Sequence, residues 1–436
     1  MRIAHIAIFV LAPAADGTAQ LNTVFNGIWL DILKTGLSTA PADHGSHYLS
    51  ANAEANLLSP ALNALIAGTI SSFPLSSTSG GVTFDFSSGT VQVTTENSRP
   101  VFAETAKTLG RFKLNIGLNY NYLTLSRFRG VLLEDIRFTF PHDDIGLIGV
   151  FGDNADENDI VDILPNMNLN ASIFTTYATL GLSNSIDIGV ALPYVSVSLR
   201  GTAKATINSY TFANLDSATH YFVGDNEINP VLSREYDFDE SASGIGDVAI
   251  RLKVSLAKKR EVDVAGLLDI RLPTGDKKNF LGTGDANIHA MVILSKKIST
   301  GFTPHLNIGY ERRGAKLDSD EFEFAAGFDR QLWEGLTFVV DFLGEMDING
   351  DEGIVLLPDN ENVFVFANSS KGGRVTREID RSNIPGSRRD NIYNAALALK
   401  YASSGNLVLV GNLLIPLNDA GLRSGIVPTI GFAFNF

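Results

Sequence analysis

Ionisable side chains recur in this 436-residue chain at positions flanked on both sides by apolar residues. Arg111, Lys113, Asp187, Asp247, Arg251, Lys253, Asp263, Asp269, Arg271, His289, His305, Asp341, Glu345 and Lys400 all stand in such stretches. Cations and anions mixed in this way suit one of two tasks. They can pair and fill a narrow interior, or they can line a constriction that sorts solutes by charge. Spacing across one turn places Lys253 near Asp263, and Arg251 against the stretch from Asp263 to Ala265.

Other chemistry is sparse. His44 and His47 have metal-ligand spacing but no third ligand nearby in the chain, so no metal site is expected. His289 and His305 share the side of the charges; His289 falls opposite about Gly309, so the two are not partners. A hydrolase needs a nucleophile or activated water beside a histidine and a carboxylate. No motif supplies that set, and an enzyme is not expected. Gly282-Thr283-Gly284 lacks the further glycine and the Lys-Ser/Thr pair of a phosphate loop. Asp347-Ile348-Asn349-Gly350-Asp351 opens like a calcium loop, but Pro358 stands where the closing glutamate belongs. No cofactor is expected.

The elements that must position these residues are strands. Val248, Ile250, Leu252, Val254 and Leu256 alternate with Asp247, Ala249, Arg251, Lys253 and Ser255. After a polar turn, Val262, Val264, Leu268, Ile270 and Leu272 lie on one face and Asp263, Asp269 and Arg271 on the other. Period two sends successive side chains to opposite faces. Each run has about ten residues, the length at which a tilted strand crosses a bilayer. Apolar on one face and charged on the other puts lipid outside and water inside.

The pattern recurs from Gly110, where Phe112, Leu114, Ile116, Leu118, Tyr120 and Tyr122 face outward, and continues to the end of the chain. The final run carries Phe432, Phe434 and Phe436, a terminal aromatic signature read as the signal for the outer-membrane assembly machinery. The expected fold is all-β, an antiparallel transmembrane β-barrel of about twelve strands. Fourteen is the alternative, if Leu132 to Val150 joins the wall. Short turns near Ser183, Lys259, Ser299, Glu334 and Ser404 fall on the periplasmic side and long loops outside. Leu132 to Phe140 reads as extra strand beyond the membrane, and Arg200 to Ser243 as a long polar loop.

Composition agrees. The chain is 44% hydrophobic, yet no apolar run after the N-terminus is long enough for a spanning helix. There is no cysteine, and a net charge of −14 argues against nucleic acid. Residues 1–19 read as a secretory signal peptide of the Gram-negative envelope. Residues 20–105 break the strand pattern. Val24, Phe25, Ile28, Trp29, Ile32 and Leu33 form a helical face, a second helix is expected to start at Ser59-Pro60, and Val82 to Thr95 reads as a hairpin. This segment is expected to plug the barrel of residues 106–436, narrowing it from the periplasmic side; the alternative is a segment that sits in the periplasm.

Gly244-Ile245-Gly246-Asp247, Leu272-Pro273-Thr274-Gly275-Asp276 and Gly282-Thr283-Gly284-Asp285, together with Ile186 to Tyr194, resemble the outer-membrane proteins named after the meta-pathway of phenol degradation. The resemblance covers roughly residues 107 to 436. It implies a barrel of about twelve strands, distantly like the outer-membrane long-chain fatty-acid transporters. By the same resemblance the protein is porin-like, meets outer-membrane lipid, and passes a small hydrophobic or amphipathic solute, aromatic compounds included. No ligand-binding position carries over. The alternative is a structural or surface-interaction protein with a sealed lumen.

Overall fold

The computed structural model describes residues 20–35, 37–39, 47–73, 82–85, 92–94, 102–145, 152, 154–222, 227–259, 262–298, 301–314, 319–348, 356–357, 361–366, 374–386, 389–402 and 407–434. Residues 1–19, where a signal peptide is expected, His44, Asp153, Asp351, Glu352, Asp359, Phe436 and the turns at Ser299 and Ser404 lie outside these residues.

Ahead of the wall come α1 (Val24–Trp29), β1 (Leu37–Thr39), α2 (Leu49–Ser72) and the hairpin of β2 (Val82–Asp85) and β3 (Gln92–Thr94). The first wall strand is β4 (Lys113–Phe128), followed by the short outer strands β5 (Val131–Leu132), β6 (Phe138–Pro141) and β7 (Ile160–Leu164). Then come β8 (Met167–Gly181), β9 (Ile186–Asn208), α3 (Tyr210–Leu215) and β10 (His220–Phe222). Strands β11 (Ser233–Ile245) and β12 (Val248–Lys258) both pair with β9 and make one wall strand, broken at Gly246-Asp247. The wall continues through β13 (Asp263–Leu272), β14 (Asn287–Ser295), β15 (Phe302–Arg312), β16 (Glu321–Trp333) and β17 (Leu336–Asp347). β18 (Glu361–Phe366) and β19 (Arg374–Ile379) pair with each other outside it. β20 (Ile392–Ala402), β21 (Leu407–Pro416), β22 (Leu422–Ser424) and β23 (Val427–Phe434) complete the ring, the last two pairing back onto β4.

The result is a closed antiparallel barrel of 12 wall strands. Closure gives every wall strand two neighbours, which a spanning sheet needs in lipid. The described part of the segment from Leu132 to Val150, residues 132–145, does not enter the wall. Its described strand, β6, pairs with β7, which sits on the outer end of β9. The supposed loop from Arg200 to Ser243 is instead mostly strand, because β9 runs 23 residues and β11 pairs along its outer half.

On β4, β8 and β9 the apolar phase inverts partway up. Ile116, Tyr120 and Tyr122 face outward and are exposed, whereas further out Leu123 and Leu125 are buried and inward. On β9, Ile186, Ile188, Val190 and Leu192 are outward, then Val195, Val197 and Leu199 inward. On β8, Phe174 and Leu180 are outward, then Ile173, Ala171 and Leu169 inward. The inversions lie side by side, since Asn121 pairs with Ile173 and Ile173 with Val195. Below that level lipid is outside; above it water is outside and an apolar core inside. Tyr122, Phe174 and Tyr194 stand at this boundary, where outer-membrane barrels carry aromatic girdles. The apolar belt on a closed barrel makes this a bacterial outer-membrane protein.

The core above the boundary comes from the helices. Phe25, Ile28, Trp29, Ile32, Leu58, Ile66 and Ile70 are buried in one cluster with Leu123, Val195, Val197 and Phe238. Trp29 packs edge-on against Phe138 and Phe140, with ring centroids 5.9 and 6.0 Å away. The helices therefore occupy the outer end of the barrel, not the periplasmic side. Nor does α2 start at Ser59-Pro60: it begins at Leu49, with Pro60 inside it. Ser59 does not cap. Its hydroxyl donates to the Ala55 carbonyl and accepts from Trp29 Nε1. Packing on the apolar face outweighs the backbone hydrogen bond that proline removes.

Candidate functional site: the charged lumen

Below the helical core the lumen gathers buried charged and polar side chains with small apolar clusters among them, and a run from Glu104 to Leu109 crosses it. Glu104 Oε2 lies 2.8 Å from Lys253 Nζ, and its other oxygen 3.5 Å from Arg251. Arg251 also donates to Asp269 Oδ2 from Nε (2.8 Å) and Nη2 (2.6 Å). The backbone of the run is fixed to the wall as well. The Glu104 amide and carbonyl meet the Asn307 side chain at 2.7 and 2.8 Å. The Ala106 amide donates to Ser295 Oγ, and the Leu109 amide to Asp187 Oδ2.

The pairings expected from spacing need correction. Arg251 stands opposite Asp269, and Lys253 opposite Leu267; Asp263 pairs in register with Lys258 and approaches Lys296 at 3.5 Å. The turn is tighter than assumed, and a bulge between Ser255 and Ala257 shifts the register. His289 stands opposite Glu311, two residues from the expected Gly309.

Two further pairs bridge across glycines. His305, Gly327 and Asp341 are neighbours in register on three adjacent strands, and His305 Nε2 reaches Asp341 Oδ1 at 2.7 Å over Gly327. A Cβ on Gly327 would lie 2.4 Å from that carboxylate. His289 Nε2 likewise lies 3.3 Å from Glu323. Beside it Arg313 pairs with Glu321 (2.7 Å) and Glu311 (3.5 Å), and Arg271 donates to the Ser71 carbonyl at the end of α2.

Among the sequence-selected residues, Asp187, Arg251, Lys253 and Asp269 are gathered around the crossing run, and His289, Arg271 and Glu345 line a cavity of about 90 Å³ with Glu104. His305, Asp341 and Lys400 are buried in the wall's inner face. Arg111 is not in the lumen: it is exposed at the rim, its guanidinium 4.4 Å from the Phe112 ring. Lys113 and Asp263 also sit at the periplasmic end of their strands. Phe432 faces outward and is half-buried on β23; nothing is described of the Phe434 side chain. Reading the sequence missed Glu104, Asn307 and Glu323. Glu104 lacks strand alternation and offered no local signal.

Asp247 has a different task. Its carboxylate accepts from the Gly275 amide (3.0 Å), the Thr283 amide (2.9 Å) and the Thr283 hydroxyl (3.1 Å). Thr274 Oγ1 donates to the Gly246 carbonyl and accepts from the Val248 amide. Three glycine motifs that are separate in sequence thus form one knot at the break in the wall, where the chain from Pro273 to Ala286 lies against the strand.

The family model described as "Putative MetA-pathway of phenol degradation" matches residues 158–342, which contain the motifs of this knot. No curated protein matches by sequence. Among solved structures, an outer membrane channel from Pseudomonas putida F1 aligns with TM-score 0.37 and 10% identity, over 75% of this chain and 96% of that one. The CymD monoaromatic hydrocarbon channel gives 0.35 and 9%, over 75% and 89%. A Pseudomonas aeruginosa FadL homologue gives 0.31 and 8%, over the same shares. All three scores are low, and the fold rests on the strand pairing itself.

Proposed function

We propose that this protein is an outer-membrane channel for a small hydrophobic or amphipathic solute, aromatic compounds included, with residues 20–105 as its plug. The carrying observation is how that segment is attached. Inside the barrel Glu104, the Ser71 carbonyl and the amides of Glu104, Ala106 and Leu109 hold to the wall by side-chain hydrogen bonds and ion pairs, and among the described residues strand pairing joins the segment to the wall only where the four residues of β2 lie on β4. The helices and the run from Glu104 to Leu109, held this way, can shift while the wall and the β2 strand on it stay whole. The cavity between the end of α2, Glu104 and the wall, about 90 Å³, is smaller than the roughly 150 Å³ that admits benzene, so passage requires such a shift. Arg251, Lys253, Asp269, His289 and Glu345 form the proposed constriction. The family description, concerned with phenol degradation, supports an aromatic solute.

The test is single-channel conductance in planar bilayers, with and without residues 20–105, alongside uptake of a labelled aromatic compound by cells. Steps confined to the truncated form support a plugged passage. Silence in both forms and no uptake favour a sealed lumen, the reading to which the continuous apolar core of helices and wall lends weight.

A further inference from the structure

Three histidines from distant segments meet at the outer end of the barrel. His47 immediately precedes Tyr48 and α2, His142 directly follows β6, and His220 opens β10. Their ring centroids lie 5.6 Å (His47–His142), 5.2 Å (His47–His220) and 4.7 Å (His142–His220) apart. One nitrogen from each ring falls within 4.8 Å of the others. His47 Nδ1 and His220 Nε2 are 3.2 Å apart. Two nitrogens on one tetrahedral zinc ion, with bonds of ~2.0–2.1 Å, stand roughly 3.4 Å apart.

The surroundings are those of a metal ligand set. His220 Nδ1 lies 2.8 Å from Asp159 Oδ2, with both side chains fully buried. Asp159 is itself held by the Thr211 amide and the Ser209 hydroxyl. His142 Nδ1 donates to the Asp143 carbonyl at 2.7 Å. A carboxylate or carbonyl partner fixes the proton on Nδ1 and leaves the lone pair on Nε2, the tautomer in which metal-binding histidines are held.

We propose that His47, His142 and His220 bind a late first-row divalent cation, Zn²⁺ being the reference ion, with Asp159 as a positioning residue. Three imidazoles without a thiolate suit this class of ion, and three protein ligands leave a fourth position for water. The ion would tie the N-terminal segment to the first two outer loops. Metal binding does not depend on the protein being a channel.

Full-length protein in detergent, stripped with a chelator, is titrated with ZnCl₂ by calorimetry, and bound zinc is counted after dialysis. The expected result is one zinc per chain, lost in the H142A/H220A double variant. D159N should keep the stoichiometry and bind roughly 10–100-fold more weakly; unchanged affinity would overturn the role of Asp159. Heat-modifiable electrophoretic mobility reports whether each variant retains the barrel. If the double variant does not, H47Q, at a half-buried position, should weaken binding by more than D159N does. X-ray absorption should show imidazole nitrogens at about 2.0–2.1 Å. Absence of saturable binding, or equal binding by wild type and H47Q, would overturn the site.

Discussion

The two halves of the lumen are filled by opposite chemistry. At the outer end, α1 and α2 bury aliphatic and aromatic side chains against inward-facing Leu, Val and Ile. Nearer the periplasm a single run is held by Glu104, Lys253, Arg251, Asp269 and Asn307. The first filling is non-directional and tolerates small displacements, with stability proportional to apolar area buried. The second is directional, and each buried charge depends on a named partner. A filling built this way combines a greased upper part with a lower latch.

Substitutions can break or sharpen this contrast. Trp29→Ala, at the centre of the outer core, should cost about 3–5 kcal/mol of the segment's stability and expose it to added protease. A similar loss, about 3–5 kcal/mol, is expected for Glu104→Ala, because Lys253 loses its buried partner. Replacing both groups together, as Glu104→Leu with Lys253→Met, should cost clearly less. If the double variant is no better than the single one, the latch is not ionic. Charge introduced outside the wall tests where the contrast begins. Val190→Arg should cost about 2–4 kcal/mol of barrel stability in lipid vesicles, whereas Ser198→Arg, above the phase inversion, should be nearly neutral. Equal costs would move the membrane boundary. The smallest effect is expected for Asp239→Asn, which removes the exposed pair with Arg200 (2.7 Å) and should change the urea midpoint by less than about 1 kcal/mol in equivalent stability.

Much of the wall was legible because lipid imposes a strict rule on alternate residues. From Gly110 to Tyr122, and from Val248 to Leu272, one face is apolar and the other polar, and the structure follows it. The register was less legible: a turn tighter than the polar stretch suggests puts Arg251 near Asp269 rather than Asp263, and a bulge at Ser255/Ala257, which leaves no mark in the alternation, shifts the pairing by one residue more. The position of the helices had a signal that went unread. Leu123 and Leu125, and Val195, Val197 and Leu199, switch apolar residues to the inner face, which only an apolar filler explains. The lumen site was only half legible. Lys253 and Asp187 could be selected from their strands, but Glu104 meets Lys253 through a contact 149 residues away in sequence. The histidine cluster was hidden for the same reason, since His47 and His220 are 173 residues apart.

The seam between first and last wall strands carries a consequence for the order of events during folding. β23 meets β4 only at Thr429 to Phe432, 308 residues along the chain from its partner at Asn121. β2 pairs with the same edge of β4 just below, Val82 with Ile116. Closing the longer loop costs about 2 kcal/mol more in chain entropy. The hairpin should therefore dock on β4 first and cover part of an edge that would otherwise template pairing with another chain. Pulsed hydrogen exchange during refolding should show protection of β2 amides before those of β23, and the reverse order would mean that the barrel closes before the hairpin arrives. On this ordering the N-terminal segment acts as a chaperone to its own wall before it occupies the lumen.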